Sequence, residues 1–155
     1  MTGAPHLILK SEGPLSIPAL IDRLTGLEPN RASYTAPWSL ARTLHHLAQG
    51  VEFSLAGYPE LKPSLFRATV GRAAFHVFHA KGAMRHATDD PIPGEAVEDG
   101  APAAARDRLI TALTAFEAAE ALHPHFAYGT LTKSQYAAAH AMHAADHLQD
   151  CRIGG

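Results

Sequence analysis

Amphipathic segments separated by proline and glycine constrain the fold of this chain most strongly. Apolar residues recur at intervals of three and four along most of the 155 residues, which is the period of a helix with one buried face. A strand-like pattern occurs only in the short run Leu7-Ile8-Leu9. The sequence therefore predicts an all-α fold of four or five helices, organised as one domain over residues 1–155.

Residues that cap helices mark where three of these helices begin. Ser16, Ser39 and Thr132 each precede a periodic apolar run, and their hydroxyl groups can accept a hydrogen bond from the first turn. Gln135 follows Thr132 by three residues and completes a capping box. The predicted helices extend from Ser16 to Pro29, from Ser39 to Gly57, from Pro63 to Gly82, from Pro102 to Leu122, and from Thr132 to about Cys151.

The segment from His86 to Gly100 lacks periodicity and contains Asp-Pro and Pro-Gly turn signals, which predict a long surface connection. A connection of this length in a compact domain usually covers something. Apolar stripes are predicted on the two helices that flank it. They comprise Phe66, Val70, Ala73, Ala74 and Val77 on the third helix, and Leu109, Leu113 and Phe116 on the fourth.

Charge and cysteine content exclude several classes of function. The chain has 13 basic and 15 acidic residues, for a net charge of -2, so it lacks the positive field that non-specific nucleic-acid binding requires. No apolar run reaches the roughly 18 residues that span a bilayer, and the N-terminus does not resemble a signal peptide. Cys151 is the single cysteine, which excludes an internal disulfide and a cysteine-based zinc site. We expect a cytoplasmic protein with no nucleic-acid or membrane partner.

Histidines are unusually frequent, with eleven in the chain, and those on the last helix form a pattern. Steps of three, four and seven residues return to the same helix face. One stripe therefore carries Tyr136, His140, His143, His147 and Asp150. Histidines four residues apart, as His143 and His147 are, can turn both rings toward one ion. The spacing predicts two metal ligands on this helix.

A third ligand must come from another helix, and the second helix offers the adjacent His45 and His46. His45 flanks the apolar stripe of that helix, whereas His46 lies on a different face. The helical wheel slightly favours His45 and does not decide between the two.

Four motifs resemble the DUF1569 branch, a domain of unknown function, of the bacterial DinB/YfiT-like metalloenzyme superfamily. The resemblance covers most of the chain, although Ala127-Tyr128 interrupt the second motif. The motifs are Trp38-Ser39 with His46-Leu47 eight residues after the tryptophan, His123-Pro124-His125-Phe126 before Gly129-Thr130-Leu131-Thr132, His143-Ala144-Ala145-Asp146-His147-Leu148, and Lys81-Gly82-Ala83-Met84.

The resemblance implies a four-helix bundle with a long connection before the fourth long helix. It also implies that His46, His143 and His147 bind a divalent transition metal. Zinc and nickel are the first candidates, with iron and manganese next, because imidazole suits many such ions. Relatives in the superfamily include thiol-dependent transferases. The resemblance thus favours a metal-dependent thiol transferase or hydrolase that acts on a small molecule, in a chain that forms homodimers. The alternative is a non-catalytic, stress-associated protein that binds a metal or ligand.

Other side chains are candidates for supporting roles around this site. Asp150 is preferred over Asp146 for orienting a metal-bound imidazole, because it shares the histidine stripe. His140, Tyr136 and His45 are candidates for the pocket or for contacts to the ligands. We expect His76, His79 and His86 to be surface or core residues, His123 and His125 to cap a loop, and Trp38 to pack structurally.

Overall fold

Helices account for most of the residues that the computed structural model describes, which are 6–7, 15–85 and 87–153. The prediction of a mainly helical fold is thereby confirmed. The helices in chain order are α1 (Ile17–Thr25), α2 (Leu40–Ala56), α3 (Ser64–Phe66), α4 (Arg72–Lys81), α5 (Pro102–Ala118) and α6 (Lys133–His147). A π-helical turn, Arg67–Gly71, joins α3 to α4 in one continuous segment, and a short 3₁₀ helix, Pro29–Arg31, follows α1.

The predicted helix caps are present at all three positions. The hydroxyl groups of Ser16 and Ser39 accept hydrogen bonds from backbone N–H groups three residues on, at 3.2 Å and 3.1 Å. Thr132 and Gln135 form the reciprocal capping box, with bonds of 3.1 Å and 3.0 Å. Each cap satisfies N–H groups that a helix leaves without internal partners, so these residues set where the helices begin.

A small antiparallel sheet corrects the all-α prediction. Strands β1 (His6–Leu7) and β2 (Ala32–Ser33) both pair with β3 (Arg152–Ile153), which lies between them. Strands of two residues are too short to produce a recognisable alternation, so the sequence pattern does not reveal β2 or β3. Ile8 and Leu9 of the strand-like run, and His86, lie outside the described residues.

The predicted buried face of the third helix is wrong at three positions, and Ala73 is one of them because it is exposed. Val70 and Val77 are 60% and 50% exposed, while Gly71 and Phe75 are buried. The π-helical turn explains the difference, because its wider turn changes the register of the residues that follow. Gly71 faces the backbone of the loop before α6, where a Cβ atom would lie 1.7 Å from the Ala127 carbonyl oxygen. Glycine is required at this close approach.

Three helices end earlier than predicted, and the first of them, α1, stops at Thr25 rather than Pro29. Helix α5 stops at Ala118 rather than Leu122, and the Lys133 ammonium group donates to the carbonyls of Glu117 and Ala119 at 2.6 Å each. Helix α6 stops at His147 rather than near Cys151, and the Tyr34 hydroxyl donates to the His147 carbonyl at 2.9 Å. Such donors satisfy carbonyl groups that have no partner beyond the last turn.

The apolar core lies where α2, α5, α1 and α6 meet, and α2 and α5 form the most extensive helix pair. The leucines and the phenylalanine of the predicted α5 stripe are buried, as expected from their helical spacing. The largest fully buried apolar side chains include Leu20, Leu24, Leu44, Leu109, Leu113, Phe116 and Leu148. This core fixes the relative positions of α2 and α6, the two helices that carry the candidate ligands.

None of the helices in the described part of the chain has the length and apolar character needed to cross a membrane.

Candidate metal centre

Three histidines from two helices meet in the interior. His46 lies in the middle of α2, while His143 and His147 lie one turn apart near the end of α6. One nitrogen from each ring falls within a group whose members are all within 4.8 Å of one another. The Nε2 atoms of His46 and His143 are 3.1 Å apart. His46 and His147 are buried and His143 is half-buried, so the fold brings together the three residues that the sequence motifs indicated.

The Glu95 carboxylate contacts the His46 ring at Nδ1, while His143 lies at Nε2 on the other side of the ring. The carboxylate oxygens of Glu95 lie 2.8 Å and 3.0 Å from His46 Nδ1, and both side chains are at most 5% exposed. Since an ionised carboxylate only accepts hydrogen bonds, this network assigns the proton of a neutral imidazole to Nδ1. The Nε2 atom of His46 then keeps its lone pair and directs it toward His143.

Sequence reasoning missed Glu95, although it did single out the segment that carries it. Glu95 lies within the connection of residues 87–101 between α4 and α5, which was expected to cover something. The Gln49 side chain fixes this connection through two hydrogen bonds to the Ala96 backbone, at 2.8 Å and 2.9 Å. Asp99 accepts a hydrogen bond of 2.7 Å from Ser39, and Glu98 pairs with Arg108 of α5. The part of the connection that follows Glu95 is therefore fastened to α2 and α5.

Trp38 packs against two rings of the histidine cluster, consistent with the structural role expected for it. Its ring meets His46 edge-on, with centroids 5.1 Å apart, and stacks on His147 at 6.1 Å and 14°. The Arg42 guanidinium group lies 4.2 Å from the centroid of the Trp38 ring, a cation–π contact. Trp38 thus restricts how the two imidazoles can rotate.

Gly50 leaves room for the third ring. A Cβ atom at this position of α2 would lie 3.3 Å from Ile92 Cδ1 and 3.8 Å from the His143 ring. The absence of a side chain lets the imidazole and the connecting segment approach the α2 backbone.

The side chains predicted to support the histidine site lie in different parts of the structure. His45 turns toward α5, where its Nδ1 lies 3.1 Å from an Arg108 guanidinium nitrogen, whereas His46 joins the histidine cluster. Asp150 is exposed and lies beyond the end of α6, which removes it from the predicted stripe, whereas Asp146 is buried. Glu95, from a different element, places its carboxylate against Nδ1 of His46 in the cluster.

His140 and Tyr136 lie deeper along α6. His140 Nε2 is 3.1 Å from Ser54 Oγ, and the Ser54 hydroxyl donates to the Val51 carbonyl at 2.6 Å. The Tyr136 hydroxyl donates to the His123 carbonyl at 2.7 Å, and its ring stacks on His140. Burial lowers the pKa of His140 to about 3 and raises that of Tyr136. Both groups are uncharged at neutral pH.

His125 caps a loop, as expected. Its Nδ1 accepts hydrogen bonds of 3.1 Å from the backbone N–H groups of Ala127 and Tyr128. Burial, with a smaller effect of nearby His140, lowers its pKa to about 3. The His123 ring packs against Gly57, whose Cβ atom would lie 3.5 Å from Nδ1.

His76 and His79 are exposed beside Phe75, with ring centroids 5.7 Å and 5.4 Å from it. Neither residue joins the histidine cluster.

A cavity of about 320 Å³ adjoins the cluster and has His46, His143 and His140 in its wall. Its remaining lining is largely apolar and aromatic, and includes Tyr58, Phe66, Met84, Ile92, Phe126 and Tyr128. Such a volume is near the low end of the range of roughly 300–1000 Å³ typical of small-molecule sites. The candidate ligands thus face a space of metabolite size.

Comparison with protein families matches residues 15–152 to a family described as "Protein of unknown function (DUF1569)". The matched segment contains all three histidines of the cluster and the connection with Glu95. The searches of curated proteins and of solved structures returned no match.

Proposed function

Since the chain belongs to the DUF1569 family, we propose a function from the geometry of its site. One divalent transition-metal ion binds to His46, His143 and His147, and the protein is a metal-dependent enzyme that acts on a small molecule. The observation that carries this proposal is the convergence of three imidazoles from two separate helices beside a cavity.

The spacing of the donor atoms suits a single ion. Two imidazole nitrogens at about 2.0–2.1 Å from zinc in tetrahedral geometry lie about 3.3 Å apart. His46 Nε2 and His143 Nε2 are separated by 3.1 Å. The contact between His46 Nδ1 and Glu95 is the carboxylate–histidine pair that commonly orients metal-bound imidazoles. Zinc and nickel are the first candidates, followed by iron and manganese.

Three protein ligands are typical of catalytic rather than closed structural sites. A bound divalent metal of this kind would supply acidification of a coordinated water or thiol near neutral pH. Glu95 holds the His46 tautomer, Trp38 restricts two of the rings, and the cavity wall encloses the substrate beside His46 and His143. The reaction classes that fit are thiol transfer and hydrolysis. The proposed relation to the DinB/YfiT-like superfamily favours thiol transfer.

A second candidate is a metal with a purely structural role, which the deep burial of His46 and His147 favours. In that case the ion would only tie α2 to α6. A high melting temperature with bound metal, combined with no turnover in thiol-transfer and hydrolysis screens, would select this function over the first.

The metal proposal is tested by comparing His46→Ala with His45→Ala. These adjacent residues of α2 differ in their surroundings, because His45 contacts Arg108 whereas His46 contacts Glu95 and His143. Zinc titration monitored by calorimetry should give one site per chain for the wild type and for His45→Ala, and at least a hundredfold weaker binding for His46→Ala. Equal affinity in all three proteins would refute the assignment.

A further inference from the structure

The cavity beside the histidine cluster has walls that suit the apolar part of a ligand. Its lining includes Phe66, Met84, Ile92, Phe126 and Tyr128, and Met84 and Ile92 are buried. The Tyr128 hydroxyl lies 3.9 Å from the Met84 sulfur. Aromatic and methionine side chains of this kind contact the body of a ligand by dispersion and by removing apolar surface from water.

Full charges lie at the exposed part of this lining. Among the described lining residues, the lysine and carboxylate side chains are those of Lys62 and Asp90, and both residues are exposed. The Lys62 ammonium nitrogen is 5.2 Å from the centroid of the Phe66 ring. A cationic group that moved past them would lose its hydration without gaining a partner of opposite charge from the described lining, which is costly.

Two imidazoles of the wall, those of His140 and His125, add polarity without charge. The Ser54 hydroxyl donates to a carbonyl, so it accepts from His140 Nε2–H, and His140 Nδ1 keeps a lone pair. His125 Nδ1 accepts two backbone hydrogen bonds, so its proton is on Nε2. Burial lowers the pKa of both imidazoles to about 3. These two imidazoles are therefore uncharged at the pH of a cell.

We propose that this cavity binds an uncharged small molecule with an aromatic or branched aliphatic body, whose hydroxyl or thiol end faces His46 and His143. This assignment names the substrate class of the site and, for the orientation of the ligand, rests on the proposed function. The volume of the cavity limits the size of the ligand, and the distribution of charge along its lining favours an uncharged one. Cationic analogues of the same size are excluded from the interior.

Two probes of nearly equal size test the selection by charge. Benzyl alcohol is uncharged, and benzylammonium carries one positive charge. Binding to the purified full-length chain is followed through the ¹³C-labelled methyl group of Met84, which lines the cavity, with buried Met142 as the internal reference. Benzyl alcohol should shift the Met84 signal and bind at least tenfold more tightly than benzylammonium. Equal affinities, or a shift of Met142 without one of Met84, would overturn the proposal.

Filling the cavity gives a second test with a matched control. Ala74 lines the cavity, whereas its neighbour Ala73 is exposed and does not belong to the lining. Ala74→Phe should weaken benzyl alcohol binding at least tenfold, and Ala73→Phe should leave it unchanged. Unchanged binding in folded Ala74→Phe would contradict the proposal. If Ala74→Phe fails to fold, the Met84 measurement on the wild type decides by itself.

Zinc titration of the same proteins separates this proposal from the metal proposal. Zinc binding at one site without selective uptake of benzyl alcohol would refute only the substrate class. Selective uptake without zinc binding would refute only the metal and leave the cavity as a binding site for neutral molecules.

Discussion

Two groups of histidines lie beside the same cavity, and their ring nitrogens are held in different ways. In the cluster of His46, His143 and His147, Glu95 takes the proton-bearing nitrogen of His46 and leaves its Nε2 close to a second imidazole. In His125, one ring nitrogen accepts hydrogen bonds from backbone N–H groups, and in His140 one ring nitrogen is hydrogen-bonded to Ser54. The partners of the ring nitrogens therefore distinguish His46 from His125 and His140.

The largest expected difference between the two groups concerns metal affinity. Replacing His143 and His147 together by alanine should abolish zinc binding at micromolar concentrations, because a single imidazole remains. Replacing His140 by glutamine should leave the zinc affinity within about threefold of the wild type, because its Nε2 contacts Ser54. Calorimetric titration measures both. A double variant that still binds one zinc per chain would remove the distinction between the groups.

Glu95→Gln should also weaken zinc binding by the histidine cluster, but less than the double replacement of His143 and His147. A neutral amide keeps the shape of the side chain but loses the charge that favours the orientation of His46. Loss of such a contact typically costs about 10–100-fold in metal affinity. Glu98→Gln is the matched control, since Glu98 belongs to the same connection but pairs with Arg108. Equal zinc affinities for the two variants would mean that Glu95 does not support the site.

The wall histidines predict a pH dependence of stability. Because the pKa of buried His140 is about 3 and that of an unfolded histidine about 6.5, the unfolded state binds more protons between these values. The free energy of unfolding should therefore fall as the pH drops below about 6.5. His140→Gln should reduce this slope by up to about 1.4 kcal/mol per pH unit. Urea titrations at pH 7, 6 and 5 measure it, with exposed His79→Gln as the control; an unchanged slope in His140→Gln would contradict the prediction.

Ser54→Ala should give the smallest effect. It removes the acceptor of His140 Nε2–H inside the protein, which typically costs about 1–3 kcal/mol of unfolding free energy. Because the hydrogen bonds of the Ser54 hydroxyl go to His140 and to the Val51 carbonyl, the zinc affinity should stay unchanged. Denaturant unfolding and zinc titration of one sample separate the two quantities. A drop in zinc affinity with no loss of stability would show that the two histidine groups are coupled.

Local signals in the sequence predicted most helix starts and two of the three clustered histidines. Ser39 and Thr132 cap helices through hydroxyl groups within three residues of their partners, so the information is contained in short motifs. The helical spacing of His143 and His147 is equally local. His46 could be distinguished from His45 only through the resemblance to a family, because both lie on plausible faces of α2.

The features that sequence reasoning missed depend on contacts between distant segments or on irregular backbone. Glu95 is 49 residues from His46 in the chain, and its position depends on how Gln49 fastens the connection. The π-helical turn before α4 shifts the register that a regular period assumes, which explains why Val70 is exposed. Asp150 fell outside the helix because α6 ends at His147, before β3.

The most direct test of the central claim is a crystal structure of the zinc-loaded protein with anomalous diffraction data collected at the zinc absorption edge. The expected result is one anomalous peak per chain, bound by imidazole nitrogens of His46, His143 and His147 at about 2.0–2.1 Å, with Glu95 still in contact with His46 Nδ1. A zinc peak at other residues, or none within reach of these three imidazoles, would contradict the account.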